Sequence, residues 1–170
     1  FELDLEISGG EVAWLVAARI AAPGVPVSLT PLTNSRGGFD RLGSWFDNAK
    51  LLERAGVDVI IGSFQSHTAR WLLQEAGNAV RFGLPWDVAL RAVTLAPAHA
   101  LGVGDRYGSL EPGKVGNLVV WTGDPFELST RAEAVVIRGA VTSLDHRQLE
   151  LFRRYRELDE ERPAFKAPGF

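Results

Sequence analysis

The sequence predicts an α/β protein in which parallel strands are joined by helical crossovers, followed by a small β segment and a final helix. Three observations carry that prediction. Apolar strand-like runs alternate with helix-period stretches through the first hundred residues. Near Gly102 the pattern changes to short apolar runs separated by glycine-rich turns. From Asp145 onward the chain is densely charged, with Leu149, Phe152, Tyr155 and Leu158 recurring about every third residue.

Leu3 to Ser8 reads as the first strand, closed by Gly9-Gly10. Glu11 to Ala22 is an Ala-rich helix with Val12, Leu15, Val16 and Ile20 at helical spacing, stopped by Pro23-Gly24. Val25 to Leu29 is the second strand, and a polar loop follows from Thr30 to Phe39. The next helix covers Asp40 to Ala55 and ends at Gly56. Val57 to Ile61 is apolar at nearly every position, as a strand covered on both faces would be. Thr68 to Phe82 and Trp86 to Leu101 read as helices separated by Gly83-Leu84-Pro85.

Strands alternating with helices imply parallel pairing through crossovers. Either an open doubly wound sheet or an arc of a (β/α)8 barrel satisfies that pattern, since a complete barrel needs about 250 residues. Beyond residue 101, Gly108 to Val120, Ala134 to Ile137 and Val141 to Ser143 read as strands. The division expected is therefore 1–101 for the α/β part, 102–144 for the β segment and 145–170 for the charged helix and tail. An amphipathic helix resting on the domain is the favoured reading of that tail. Membrane-surface binding is weakened by the acids among its arginines.

Composition narrows the function. With 46% hydrophobic and 23% charged residues the chain is globular rather than disordered. A formal net charge of −3 argues against nucleic acid, which needs a basic patch. No apolar run approaches the ~18–20 residues of a membrane span, so a soluble protein of the cytoplasm or periplasm is expected. The absence of Cys removes disulfides, thiolate metal sites and thiol nucleophiles. The first residue is Phe1, the chain holds no Met, and its opening alternates apolar and acidic residues like a strand. A piece of a longer protein is the expectation.

Chemistry in parallel α/β folds gathers at the C-terminal ends of the strands. The end after Ile61 is the richest: Ser63, Gln65, Ser66, His67 and Arg70 lie within eight positions. His67 is the one histidine of three expected at a strand end, and Glu11 is the only carboxylate placed to join it. Two ligands fall short of the three a catalytic zinc takes from protein, so no metal is expected on this chain alone. A Ser–His pair at Ser66-His67 is disfavoured, because neighbours on an extended segment point apart and the Gly-x-Ser-x-Gly elbow is missing. Ser63 and Ser66 compete between loop hydrogen bonding and substrate contact, and Arg70 between a surface role and anion recognition. Gly9-Gly10 could present backbone amides to an anion or simply make a tight turn.

Further on, Glu75-Ala76-Gly77-Asn78-Ala79-Val80 leads through Gly83-Leu84-Pro85 to Pro97-Ala98 and Leu101-Gly102. Gly108-Ser109-Leu110-Glu111-Pro112-Gly113-Lys114, Asn117-Leu118-Val119-Val120-Trp121 and Gly123-Asp124-Pro125 follow. These runs resemble the C-terminal portion of the amidohydrolase superfamily, on the side of the imidazolonepropionase-like enzymes. The resemblance implies the last three units of a (β/α)8 barrel, followed by strands of a composite β-sandwich. It also implies hydrolysis of non-peptide carbon–nitrogen bonds in a small substrate, using a divalent metal such as zinc. By the same resemblance Gln65 stands where the family carries a catalytic, metal-binding Asp, and Gly9 or Gly10 where it usually carries a His. The metal centre is thus expected to be incomplete here, with the remaining ligands in a missing N-terminal part of the barrel. His67 and Gln65 are the expected catalytic residues, and Ser63, Arg70 and Gly10 the expected substrate contacts. A small-molecule-binding relative without catalysis is the alternative, and a homo-oligomer is possible.

Overall fold

The computed structural model describes residues 5–34 and 38–156. Its centre is a three-stranded sheet in the order β1 (Ile7–Ser8), β2 (Val27–Leu29), β3 (Val59–Ile61). All pairing in it is parallel, with Ile7 opposite Val27 and Val27 opposite Val59. The ladder is carried by Ile7 N–H to Pro26 O and Gly9 N–H to Ser28 O, both 3.0 Å, and by Val27 N–H to Asp58 O at 2.9 Å. Gly62 N–H to Leu29 O, at 3.0 Å, extends it past β3. Every residue of β2 and β3 is buried. That burial explains the unbroken apolar run of β3, because a sheet covered on both faces offers no polar side.

The strands are shorter than the sequence suggests, and part of the first expected one, Leu3 and Asp4, lies outside the described residues. The helix expected over Glu11–Ala22 is a 3-10 turn (Ala13–Val16) followed by α1 (Ala17–Ala21). There the Trp14 N–H is taken by the buried Asn48 side chain at 3.1 Å and the indole N–H by Gly43 O at 2.8 Å. Such tertiary bonds outweigh the weak preference of the Val-containing segment for regular helix. The helix expected from Asp40 begins at Asn48 (α2, Asn48–Arg54), after a 3-10 turn at Phe39–Arg41. Gly43 between them is pressed against the first crossover, with space for a Cβ only 3.2 Å from Val12.

The helix expected from Thr68 opens as a 3-10 turn (Ser66–Trp71) and becomes α3 at Leu72–Arg81. The single helix expected over Trp86–Leu101 is two, α4 (Trp86–Val93) and α5 (Leu95–Ala100). Thr94 breaks it at φ −128°, ψ −81°, and its hydroxyl folds back onto Leu90 O at 2.6 Å. Pro97 has no N–H for the Val93 carbonyl, so the ladder could not have continued. Alanines line the inner faces of these helices: Ala13 and Ala17, Ala49, Ala76 and Ala79, Ala89 and Ala92. Their small side chains bring the helices close onto Val27, Leu29, Val59 and Ile61.

Of the strand expected over Gly108–Val120, only its end is extended, in β4 (Leu118–Trp121). The remainder is a set of turns gathered around the Lys114 ammonium, which donates to Gly104 O at 2.8 Å and Ser109 Oγ at 2.6 Å. The Ser109 hydroxyl, and secondarily Lys114, hold the Glu111 carboxyl below its ordinary pKa. β5 (Ala132–Ile137) and β6 (Ala140–Thr142) complete an antiparallel sheet in the order β4-β5-β6. It is anchored to the first layer through Phe126, which packs on the core and against Trp86 at 5.4 Å between ring centroids. The Trp86 indole N–H also reaches the Asp124 carboxylate at 3.0 Å.

The final helix is α6 (Arg147–Arg156), and the expected continuation to Arg162 lies outside the described residues. Two of the apolar positions expected to rest on the domain do not do so, while Leu149 is half-buried and Leu158 lies outside the described residues. Phe152 and Tyr155 are 58% and 54% exposed, and no residue of α6 is buried.

Gly108 tests this packing. It sits at φ +93°, and a Cβ there would lie 2.8 Å from Leu95 Cα. Gly113, at φ +92°, faces open space. Gly108→Ala is expected to lower unfolding free energy by about 1–3 kcal/mol in urea titration, with a smaller loss for Gly113→Ala.

Candidate active site

Parallel strands send all their C-terminal loops to one edge of the sheet. The Gly9–Glu11 segment after β1, the Thr30–Asn34 segment after β2 and the Gly62–Trp71 segment after β3 therefore share one rim. The structure thus brings Gly10, Ser63, Gln65, His67 and Arg70 to that rim. His99 and His146 lie elsewhere. His99 packs beside Gly104 on α5, and His146 Nδ1 accepts the Leu149 N–H at 3.2 Å at the start of α6.

The β3 loop is built by its own backbone. Gln65 N–H donates to Ser63 O at 2.6 Å, and the Thr68 hydroxyl lies 2.9 Å from both Ser63 O and Gln65 O. The Ser63 hydroxyl makes only a long contact, 3.4 Å, to Gln65 O. Phe64 takes φ +48°, a left-handed conformation that a bulky side chain adopts at a cost of about 1–3 kcal/mol. This reversal swings the chain out of the β3 direction before the 3-10 turn begins. Gln65, His67 and Arg70 are exposed, and the Arg70 guanidinium lies over the Trp71 ring at 5.8 Å.

Gly10 is required sterically. A Cβ at that position would stand 2.7 Å from Val27 Cγ1 and 3.0 Å from Ala13 Cβ, so the rim backbone crosses directly over β2. Its carbonyl accepts the Asn48 amide at 2.8 Å. Asn48 is fully buried and reaches Gly10 O with Nδ2 and Trp14 N–H with Oδ1. It ties α2 to the turn that follows β1.

Glu75 plays the corresponding part on α3. Only 3% exposed, its carboxylate accepts the Leu32 N–H at 2.6 Å, holding the loop after β2. Burial raises the pKa of this carboxyl, and the Leu32 bond opposes the rise. On the same rim Glu11 pairs with Arg41 at 3.4 Å. Near the start of β1, Glu6 accepts the buried Ser28 hydroxyl. Among the described residues no group of three or more His, Asp or Glu side chains stands together as metal ligands. The described residues do not by themselves fit a divalent ion.

The sequence reading missed Asn48, Glu75 and Phe64. For the first two a signal existed: a polar residue in phase with the apolar face, Asn48 with Ala49 and Leu52, Glu75 with Ala76 and Ala79. Nothing local marks Phe64. At the opposite end of the sheet, a depression of about 520 Å³ is lined by Glu6, Pro23, Pro26 and His99 among others. None of the expected site residues touches it, and it lies on the face where strands begin. No helix among the described residues is long and apolar enough to cross a membrane.

The model of the amidohydrolase family matches residues 13–142. The chain belongs to the amidohydrolase family. It is 30% identical over 122 residues to an N-acetylglucosamine-6-phosphate deacetylase of Haemophilus influenzae, covering 71% of this chain and 28% of that protein. It is 43% identical over 67 residues to an imidazolonepropionase of Sphingopyxis alaskensis, covering 39% of this chain and 17% of that protein. An amidohydrolase structure from Thermotoga maritima superposes with a TM-score of 0.75 at 30% identity, over 82% of this chain and 37% of that one. This amidohydrolase chain therefore spans less than a third of either of these two relatives.

Two outcomes check the polar supports. Asn48→Ala leaves the Gly10 carbonyl and the Trp14 N–H without their partner, and is expected to cost about 2–4 kcal/mol in denaturant unfolding. For Glu75 the folded-state pKa lies above its ordinary 4.5. The protonated form therefore adds stability that is lost as pH rises through the raised value. Glu75→Gln removes that dependence, so its melting temperature should gain on the wild type between about pH 4 and about pH 7.

Proposed function

We propose that this chain supplies the last three β/α units of a (β/α)8 hydrolase that cleaves a non-peptide carbon–nitrogen bond in a small substrate. The observation carrying this reading is the all-parallel β1-β2-β3 sheet of an amidohydrolase-family chain, which sends the Gly10 turn and the His67 loop to the same rim. The remainder of the barrel would come from chain outside this segment, in keeping with its 37% coverage of the Thermotoga structure.

In this reading His67 lies against the scissile group and exchanges a proton with it, the task for which imidazole is suited near neutral pH. Gln65 is an amide and cannot act as a base. It orients the carbonyl or the attacking water by hydrogen bonding. Ser63, Arg70 and the Gly10 backbone hold the rest of the substrate. The family's divalent metal, when present, polarises a carbonyl and activates water. Its ligands would have to come largely from outside this chain, and no step assigned to these residues passes through it.

A second reading is favoured by one specific feature, the amide of Gln65 where the resemblance places a catalytic Asp. In that reading the rim binds a small molecule without turning it over. Hydrolysis of a panel of N-acylated amines by the whole protein separates the two. The hydrolase reading predicts turnover that falls about 100-fold or more in His67→Ala, while calorimetry still detects substrate binding. Binding without turnover in the wild type would overturn it in favour of the binder.

A further inference from the structure

We propose that the face shared by His67 and Arg70 selects an anionic substrate, with Arg70 holding its carboxylate or phosphate while the reacting end lies beside His67. This rests on the hydrolase or binder reading of the rim and adds to it the chemical class of the ligand. Ser66–Trp71 is a 3-10 turn. Three residues per turn eclipse side chains at i and i+3, so His67 and Arg70 stand on one face, offset by a rise of about 6 Å. Both are exposed. Thr68, on another face, is committed to the Ser63 and Gln65 carbonyls, which fixes the turn.

The guanidinium has what anion recognition needs. It packs over the Trp71 ring at 5.8 Å, which restricts its motion. No ion pair joins it to a carboxylate among the described residues, and Gly62–Trp71 contains no Asp or Glu. Three other arginines are neutralised, Arg91 by Asp58 and Arg153 by Asp145, each at 2.8 Å, and Arg41 by Glu11 at 3.4 Å, whereas Arg70 stands on the rim beside His67. A planar fork of donors with no ion-pair partner among the described residues matches a carboxylate or phosphate in bidentate fashion. The 6 Å offset sets the length of the ligand: the anionic group sits a few bonds from the amide.

The test compares matched N-acetylated compounds on the whole protein. One pair is an N-acetyl amino acid and its carboxamide; the other is an N-acetylated amino sugar phosphate and the same sugar without phosphate. Turnover and calorimetric binding are read on each. A charge-assisted contact predicts that the anionic member of at least one pair is favoured about 10–100-fold, in kcat/KM or in Kd. Whichever pair shows the preference identifies the anion. Arg70→Gln should bring that ratio close to one, mainly through KM, and Arg70→Lys should restore part of it. Equal use of charged and neutral members, or a preference that survives Arg70→Gln, would overturn the proposal and leave the hydrolase reading standing. Absence of turnover with an Arg70-dependent binding preference would overturn the hydrolase reading and leave this one standing. Failure of every compound to bind would overturn both.

Discussion

The structure depends on the parallel pairing of β2 with a strand on each side. Val27, Ser28 and Leu29 are all buried, and β2 is the central strand because it pairs with β1 on one side and β3 on the other. Parallel neighbours cannot be joined by a tight turn, and the chain must cross over through α1 and α2 to return in register. The same constraint gives the molecule its polarity. Strand starts collect at one end, where Pro23 and Pro26 lie, and strand ends collect at the other, where the chemistry-bearing loops emerge. The proposed site over Gly10 and Ser63–Arg70 depends on the sheet bringing residues more than fifty positions apart to one edge.

The rim is held by buried polar groups, which are costly unless fully bonded. Asn48 uses donor and acceptor at once, fastening the β1 turn to α2. Glu75 fastens the β2 loop to α3 at the expense of a carboxyl forced toward its neutral form. An alanine or leucine at either position would bury no polar side chain but would orphan its partners, the Gly10 carbonyl and Trp14 N–H for Asn48 and the Leu32 N–H for Glu75. What would be lost is the fixed position of two loops. The β3 loop is different: it relies on local backbone bonds and a strained Phe64, and leaves Gln65, His67 and Arg70 to solvent.

The layout of the sheet was legible because buried parallel strands leave a plain signature, as in Val57 to Ile61. The choice of rim residues followed from it, since strand direction alone selects His67 over His99 and His146. Helix regularity was not legible. Trp14, Gly43 and Thr94 interrupt apolar periodicities that read as continuous, and each does so through a contact to a distant segment or through a proline three residues on. The turns from Gly108 to Lys114 read as strand in the sequence, because their organiser is one lysine ammonium whose partners are mostly backbone and hydroxyl. Periodicity carries no trace of it. The exposure of Phe152 and Tyr155 on α6 was likewise invisible, since apolar spacing states which residues want cover and not whether they find it.

The most direct measurement is the inter-strand contact pattern by nuclear magnetic resonance on isotopically labelled protein. The account predicts nuclear Overhauser effects linking Val27 to both Ile7 and Val59, and Leu29 to Ile61, in parallel register. Antiparallel pairing, with Ile7 facing Leu29, or a β2 contacting only one neighbour, would contradict it and would scatter the loops from their shared rim.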